Sequence, residues 1–219
     1  MINHDKKFIF VHIPRCAGNF INDFFDSDWI EKMRSDTGTF RDANNYNIDH
    51  YPLYRYKELH PEKYTTYFKF TFVRNPWERM LSEFFLKKYG ESRGCRWGPI
   101  NNFIDCSQLE FCEFIRKLQD KFHLIEELMH INHNDVSHFM SYKHYIENPK
   151  NLDFVGKLEN FNTDFCALCK NFSIECSPKP KINQANHLHY SEYYSPKTRD
   201  IVGELYSWDI KNFNYKFEG

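Results

Sequence analysis

No stretch of this chain approaches the ~20 apolar residues needed to cross a bilayer, and the run Phe8–Val11 is only strand-sized. Nor is one sign of charge in excess: 29 basic residues stand against 30 acidic ones. A general nucleic-acid binder usually carries a basic excess, so nucleic acid is not an expected partner. Any anion site must then be a local cluster of donors. The opening residues Met1–Lys7 lead straight into the apolar run without a signal-peptide cleavage pattern. The expectation is a cytoplasmic protein with no transmembrane segment.

Metal-binding patterns are missing as well. Cys166 and Cys169 form a C-x-x-C, but no second pair follows at zinc-ribbon spacing. The apolar, helix-like setting of Asp164–Cys169 suits buried thiols better. His123, His130, His133, His138 and His144 contain no H-E-x-x-H and read as solvated or capping residues. The seven cysteines are odd in number, in a chain too large to need disulfide staples. No metal is expected.

What is present is the composition of a folded enzyme-sized domain: 219 residues, 41% hydrophobic and 18% aromatic. Lys7–Ile13 is a nearly continuous apolar and β-branched run, the pattern of a buried parallel strand. It ends at Pro14, a short turn with Gly18 follows, and a helical pattern begins at Phe20. Tyr67–Val73 is a second strand, running into Arg74-Asn75-Pro76, where Asn75 can cap a helix that starts at Pro76 and ends at Gly90. Residues 35–63 are polar and tyrosine-rich without periodicity, an excursion of the kind that often carries function. Leu109–Ile131 reads as one amphipathic helix, Asp153–Gly156 as a short strand, Asn162–Lys170 and Ser195–Tyr206 as helices, and Tyr215–Phe217 as a terminal strand. No repeat or linker divides the chain, so residues 1–219 are expected to be one domain. Strands alternating with helices predict an α/β sheet with helices on both faces, whose ligands sit at the carboxyl ends of the strands.

Two such ends are polar. Pro14-Arg15-Cys16-Ala17-Gly18-Asn19-Phe20 lies between a strand and a helix start, where unbonded N–H groups and the macrodipole favour an anion. Gly18 and Ala17 allow close approach of the backbone, and Arg15 adds a forked charge. An ordinary strand–helix turn with a solvated arginine fits these residues almost as well. It is not a Walker A loop, since G-x-x-x-x-G-K-[ST] is absent. The second end offers Arg74 and, further along the following helix, Ser82. Alone, Arg74 is as suited to a carboxylate partner, and Ser82 to a helix surface.

Taken together, the two segments resemble the superfamily of sulfotransferases that use 3′-phosphoadenosine 5′-phosphosulfate (PAPS), and within it the carbohydrate branch that includes heparan sulfate 2-O-sulfotransferase. Phe10–Gly18 is similar to that branch's 5′-phosphosulfate loop, H-I-P-K-T/C-A/G-G-T-S, and Phe68–Arg79 with Ser82 to its 3′-phosphate segment. Asp153–Phe161 and the tail from Tyr193 to Phe217 match too. Three departures stand out: Arg15 replaces a lysine, Asn19-Phe20 replaces Thr-Ser, and Asn183-Gln184-Ala185 replaces Asn-Lys-Ser.

The resemblance implies an α/β, P-loop-like three-layer fold with a central parallel β-sheet flanked by helices. It implies PAPS as co-substrate, held by Pro14–Phe20, Arg74 and Ser82, and sulfuryl transfer to an acceptor hydroxyl of a glycan. The catalytic residues it implies are Arg15, beside the leaving phosphate, and His50 as the base. His50 lies in the polar excursion, near where the 2-O-sulfotransferase branch carries its histidine, and an imidazole suits the task. His60 is its rival. Tyr46, Tyr51, Tyr54, Arg55 and Tyr56 are expected to face the acceptor, with plain packing as the other reading. A nucleotide-dependent phosphoryl-transfer enzyme and a non-catalytic nucleotide- or glycan-binding relative are the alternatives.

Overall fold

A computed structural model describes residues 1–26, 48–89, 103–129, 136–176 and 188–219. The strands are β1 (Ile2–Asn3), β2 (Phe8–Val11), β3 (Phe68–Val73) and β4 (Phe154–Lys157). The first five helices are α1 (Gly18–Phe25), α2 (Leu53–Leu59), α3 (Pro61–Thr66), α4 (Pro76–Tyr89) and α5 (Phe111–Lys121). They are followed by α6 (Ile125–Met129), α7 (Tyr142–Ile146), α8 (Phe161–Asn171), α9 (Pro196–Leu205) and α10 (Ser207–Phe213). The chain divides into two compact units, Met1–Arg74 with Tyr142–Ala185, and Asn75–Ser141 with Asn186–Gly219.

The first unit holds a four-stranded sheet in the order β1-β2-β3-β4. The sheet is parallel from β2 to β4, and the short edge strand β1 runs antiparallel to β2. Side chains alternate across it as strand geometry requires. Phe8, Phe10, Phe70 and Phe72 share one face and pack with Ile21 of α1 and with Phe161, Phe165, Leu168 and Cys169 of α8. Gly156 of β4 leaves room for the Phe72 ring, since a Cβ there would lie 2.3 Å from it. This is the expected mixed α/β architecture with flanking helices. The register sets Val11 beside Thr71 and Val73 beside Lys157. The residues leaving β2, β3 and β4 therefore emerge at one end of the sheet.

The second unit is helical. Asn75 caps α4 by accepting the Trp77 N–H at 3.1 Å, as expected, and its amide also donates to the Lys216 carbonyl at 2.9 Å. Buried Arg79 donates to the carbonyls of Met140 and His138, each at 2.9 Å. His138 is not solvated as its sequence setting suggests: it is buried, with Nδ1 2.8 Å from Glu83 Oε2.

Other expectations are corrected. The helix foreseen over Leu109–Ile131 starts at Phe111, because Glu110 and Glu113 form a capping box, and it breaks into a 3-10 turn at Phe122–Leu124. Tyr215–Phe217 is not a strand. Phe217 instead packs edge-on against Trp77, Tyr190 and Tyr194. The excursion 35–63 is helical from Leu53, with Pro61 opening a second helix in a favoured first position. Cys166 pairs with Cys176 in a disulfide and leaves Cys169 buried and free, so the expectation of thiols only is overturned. No helix among the described residues is long and apolar enough to cross a membrane. Gly90, His130, His133 and Asn183-Gln184-Ala185 lie outside the described residues.

Candidate functional site

The turn after β2 is built from unusual backbone. Arg15 and Ala17 both adopt left-handed conformations, with φ of 67° and 64°. Such conformations cost a non-glycine residue about 1–3 kcal/mol each and cluster at ligand sites. Between them the Cys16 N–H closes the turn on the Ile13 carbonyl at 3.3 Å. Helix α1 then begins at Gly18 with no side-chain cap on its first turn. Its leading N–H groups are therefore the donors that an anion could satisfy.

Within the loop the side chains divide. Pro14 and Cys16 are buried, Asn19 is exposed, and Arg15 is half-buried. Cys16 Sγ lies 3.8 Å from the Tyr142 hydroxyl, and its N–H bonds the Ile13 carbonyl at 3.3 Å, so this residue holds the turn together. Phe20 also points away from any anion. Its ring packs edge-on against Phe161 and Phe165, each at 5.2 Å, and is part of the sheet–helix core. That packing is the physical reason an aromatic residue stands where the resembled loop has a hydroxyl.

Beneath the loop lies a hydrogen-bonded cluster. His12, one residue beyond β2 and 3% exposed, places Nδ1 2.7 Å from Asp49 Oδ1. The same Asp49 oxygen accepts the amide of buried Asn22 from α1 at 3.1 Å. His50, in the 3-10 turn Ile48–His50, is buried and donates Nδ1–H to the His12 carbonyl at 3.1 Å. A carbonyl can only accept, so this bond fixes the tautomer and leaves the lone pair of neutral His50 on Nε2. The two imidazoles meet edge to face at 4.5 Å. Burial pushes the Asp49 carboxyl up, but His12 and His50 and the His12 hydrogen bond outweigh it and hold the group well below the usual carboxylate range.

His12, Asp49 and His50 bring ligand-type atoms within 4.8 Å of one another, close enough to hold a cation. However, His12 Nδ1 and Asp49 Oδ1 are already bonded to each other, and the cluster reads as a proton-holding network. The sequence reading missed His12 and Asp49. The available signal was a buried strand ending in a histidine two residues before Pro14, and an aspartate adjacent to the candidate base.

Arg74 joins the same unit from the end of β3. Its N–H donates to the Tyr142 hydroxyl at 3.2 Å, the hydroxyl donates to the Arg74 carbonyl at 2.5 Å, and Nη1 reaches the Arg15 carbonyl at 3.5 Å. Arg74 is thus clamped by its backbone beside the loop. Lys157 ends β4 opposite Val73, so a third cation emerges at that end of the sheet. Ser82 is half-buried on α4 in the other unit. His60 sits at the junction of α2 and α3 rather than in the cluster, with its pKa lowered by burial and then by Lys63 and His4. Tyr51 and Tyr56 are both buried, their rings edge to face at 5.9 Å. Tyr46 lies outside the described residues.

A mostly parallel sheet flanked by helices, with a loop of left-handed residues opening its first crossover beside Arg74, defines a mixed α/β protein. The chain matches the Sulfotransferase family over residues 1–216, and it belongs to that family. No curated protein and no solved structure gives a match.

Proposed function

We propose that the chain is a single catalytic domain that moves a sulfuryl group from PAPS to a carbohydrate hydroxyl, in the manner of heparan sulfate 2-O-sulfotransferase. The observation that carries this reading is the bond from His50 Nδ1 to the His12 carbonyl at 3.1 Å. It ties a buried histidine, lone pair on Nε2, to the residue that leads into the anion loop of a family member.

The donor supplies an activated sulfur whose bond to the 5′-phosphate oxygen breaks, with the electron pair staying on that oxygen. His50 takes the proton of the acceptor hydroxyl as the oxygen–sulfur bond forms. The N–H groups of Gly18, Asn19 and Phe20, together with Arg15, face the charge gathering on the phosphate. Pro14, Cys16 and Ala17 shape the loop. Arg74 serves the 3′-phosphate from the end of β3, and Ser82 is assigned to the same phosphate on the resemblance alone. No metal has a role in this scheme.

Isothermal titration with adenosine 3′,5′-bisphosphate and with AMP tests the two-phosphate reading. The bisphosphate should bind much more tightly, and Arg74→Ala should erase most of the difference. Equal affinities in the unaltered protein would remove the 3′-phosphate site.

A further inference from the structure

His12 has one ring nitrogen engaged and one unaccounted for. Nδ1 is bonded to Asp49 at 2.7 Å, whereas Nε2 has no hydrogen-bond partner among the described residues, although the residue is only 3% exposed. Nε2 is not one of the fully buried unbonded side-chain atoms, so it is open to a ligand or water at the surface of the cluster. The direction in which it points is set by Gly18. A Cβ built on that glycine would fall 1.8 Å from both His12 Nε2 and Cδ2. The Nε2 edge of the ring is therefore pressed against the first residue of α1, where the helix presents its uncapped N–H groups.

We infer, on the reading of this site as a phosphosulfate site, that His12 is itself a ligand-contacting residue, donating Nε2–H to the 5′-phosphate. Asp49 holds the proton on Nδ1, and an anion at the helix start holds the second proton on Nε2. Arg15, Arg74 and Lys157 lie at this end of the sheet, and His50 faces the same ring from the side. Asn22, bonded to Asp49 at 3.1 Å, keeps the carboxylate from turning away. His50 then handles the acceptor's proton while His12 stabilises the oxygen that leaves, two histidines whose roles are separated by what each Nδ1 touches.

The test compares two ligands that differ only in the 5′-phosphate. In unaltered protein and in His12→Gln, affinities for adenosine 3′,5′-bisphosphate and for adenosine 3′-phosphate are measured by calorimetry. His12→Gln should lose about ten- to a hundredfold toward the bisphosphate, the range of one charge-assisted bond, and nothing toward the 3′-phosphate. Equal losses for both ligands, or no loss for either, overturn the assignment. Should His12→Gln fail to fold, Asp49→Asn keeps a neutral partner for Nδ1 and takes its place, with the same selective loss expected and the same outcomes overturning the assignment. Unaltered protein that binds neither ligand overturns the functional reading itself, and the role of His12 with it.

Discussion

The His12 imidazole occupies the space that the side chain of any other residue at position 18 would need. A Cβ on Gly18 would sit 1.8 Å from Nε2 and Cδ2, far inside van der Waals contact. Gly18→Ala should therefore displace the ring, destabilise the fold by the ~1–3 kcal/mol typical of overpacking, and abolish bisphosphate binding. In a His12→Ala background the same change should cost much less, because the clash is gone. Urea denaturation of the four proteins of this cycle measures the coupling. Strict additivity would mean the ring is not held against Gly18.

Asp49 links pH to stability. Its folded-state pKa is depressed, so it stabilises the protein above the unfolded carboxylate value of about 3.9, and this contribution is lost as pH falls below it. Asp49→Asn should be less stable than the unaltered protein at pH 7, by ~1–3 kcal/mol for a buried bond to a charged group. The gap should begin to narrow as the pH falls below about 4 and should go on narrowing at lower pH. Denaturant midpoints measured from pH 5 downward check it, and a gap that stays constant would remove the stabilising role of the ionised Asp49 carboxylate.

The Cys166–Cys176 disulfide closes a loop with a sequence separation of 10 beside the core formed by α8 and the sheet. Loop-closure entropy for that length gives roughly 2–3 kcal/mol. Cys166→Ser should lower the melting temperature of oxidised protein to about that of reduced protein, and added dithiothreitol should then have no further effect on the variant. A melting temperature indifferent to both would show that the bond does not contribute to stability.

The strands and the anion loop were legible because their signals are local: apolar runs such as Phe8–Val11, a break at Pro14, and small residues before a helical pattern. Asn75 and Pro76 announced α4 in the same way. What stayed hidden depends on distance in sequence. His12 and Asp49 are 37 residues apart and meet only after β2 and the turn at Ile48–His50 are in place. Phe20 looked like a lost phosphate contact, because the core it fills comes from Phe161 and Phe165 more than a hundred residues on. The helices in the excursion were missed because α2 and α3 are short: α2 buries only Leu53 and Tyr56, and α3 buries no residue, so neither shows a helical period.

The most direct test follows radiolabelled sulfate from PAPS onto a panel of desulfated glycosaminoglycans, with unaltered protein and His50→Ala side by side. Labelled glycan should form with the unaltered protein. His50→Ala should lower kcat by about 10²–10⁴-fold with bisphosphate affinity nearly unchanged, as loss of a general base requires. A His60→Ala control should keep its turnover. No transfer to any glycan by the unaltered protein, or transfer at full rate by His50→Ala, would contradict the assignment of this cluster as the centre of a carbohydrate sulfotransferase.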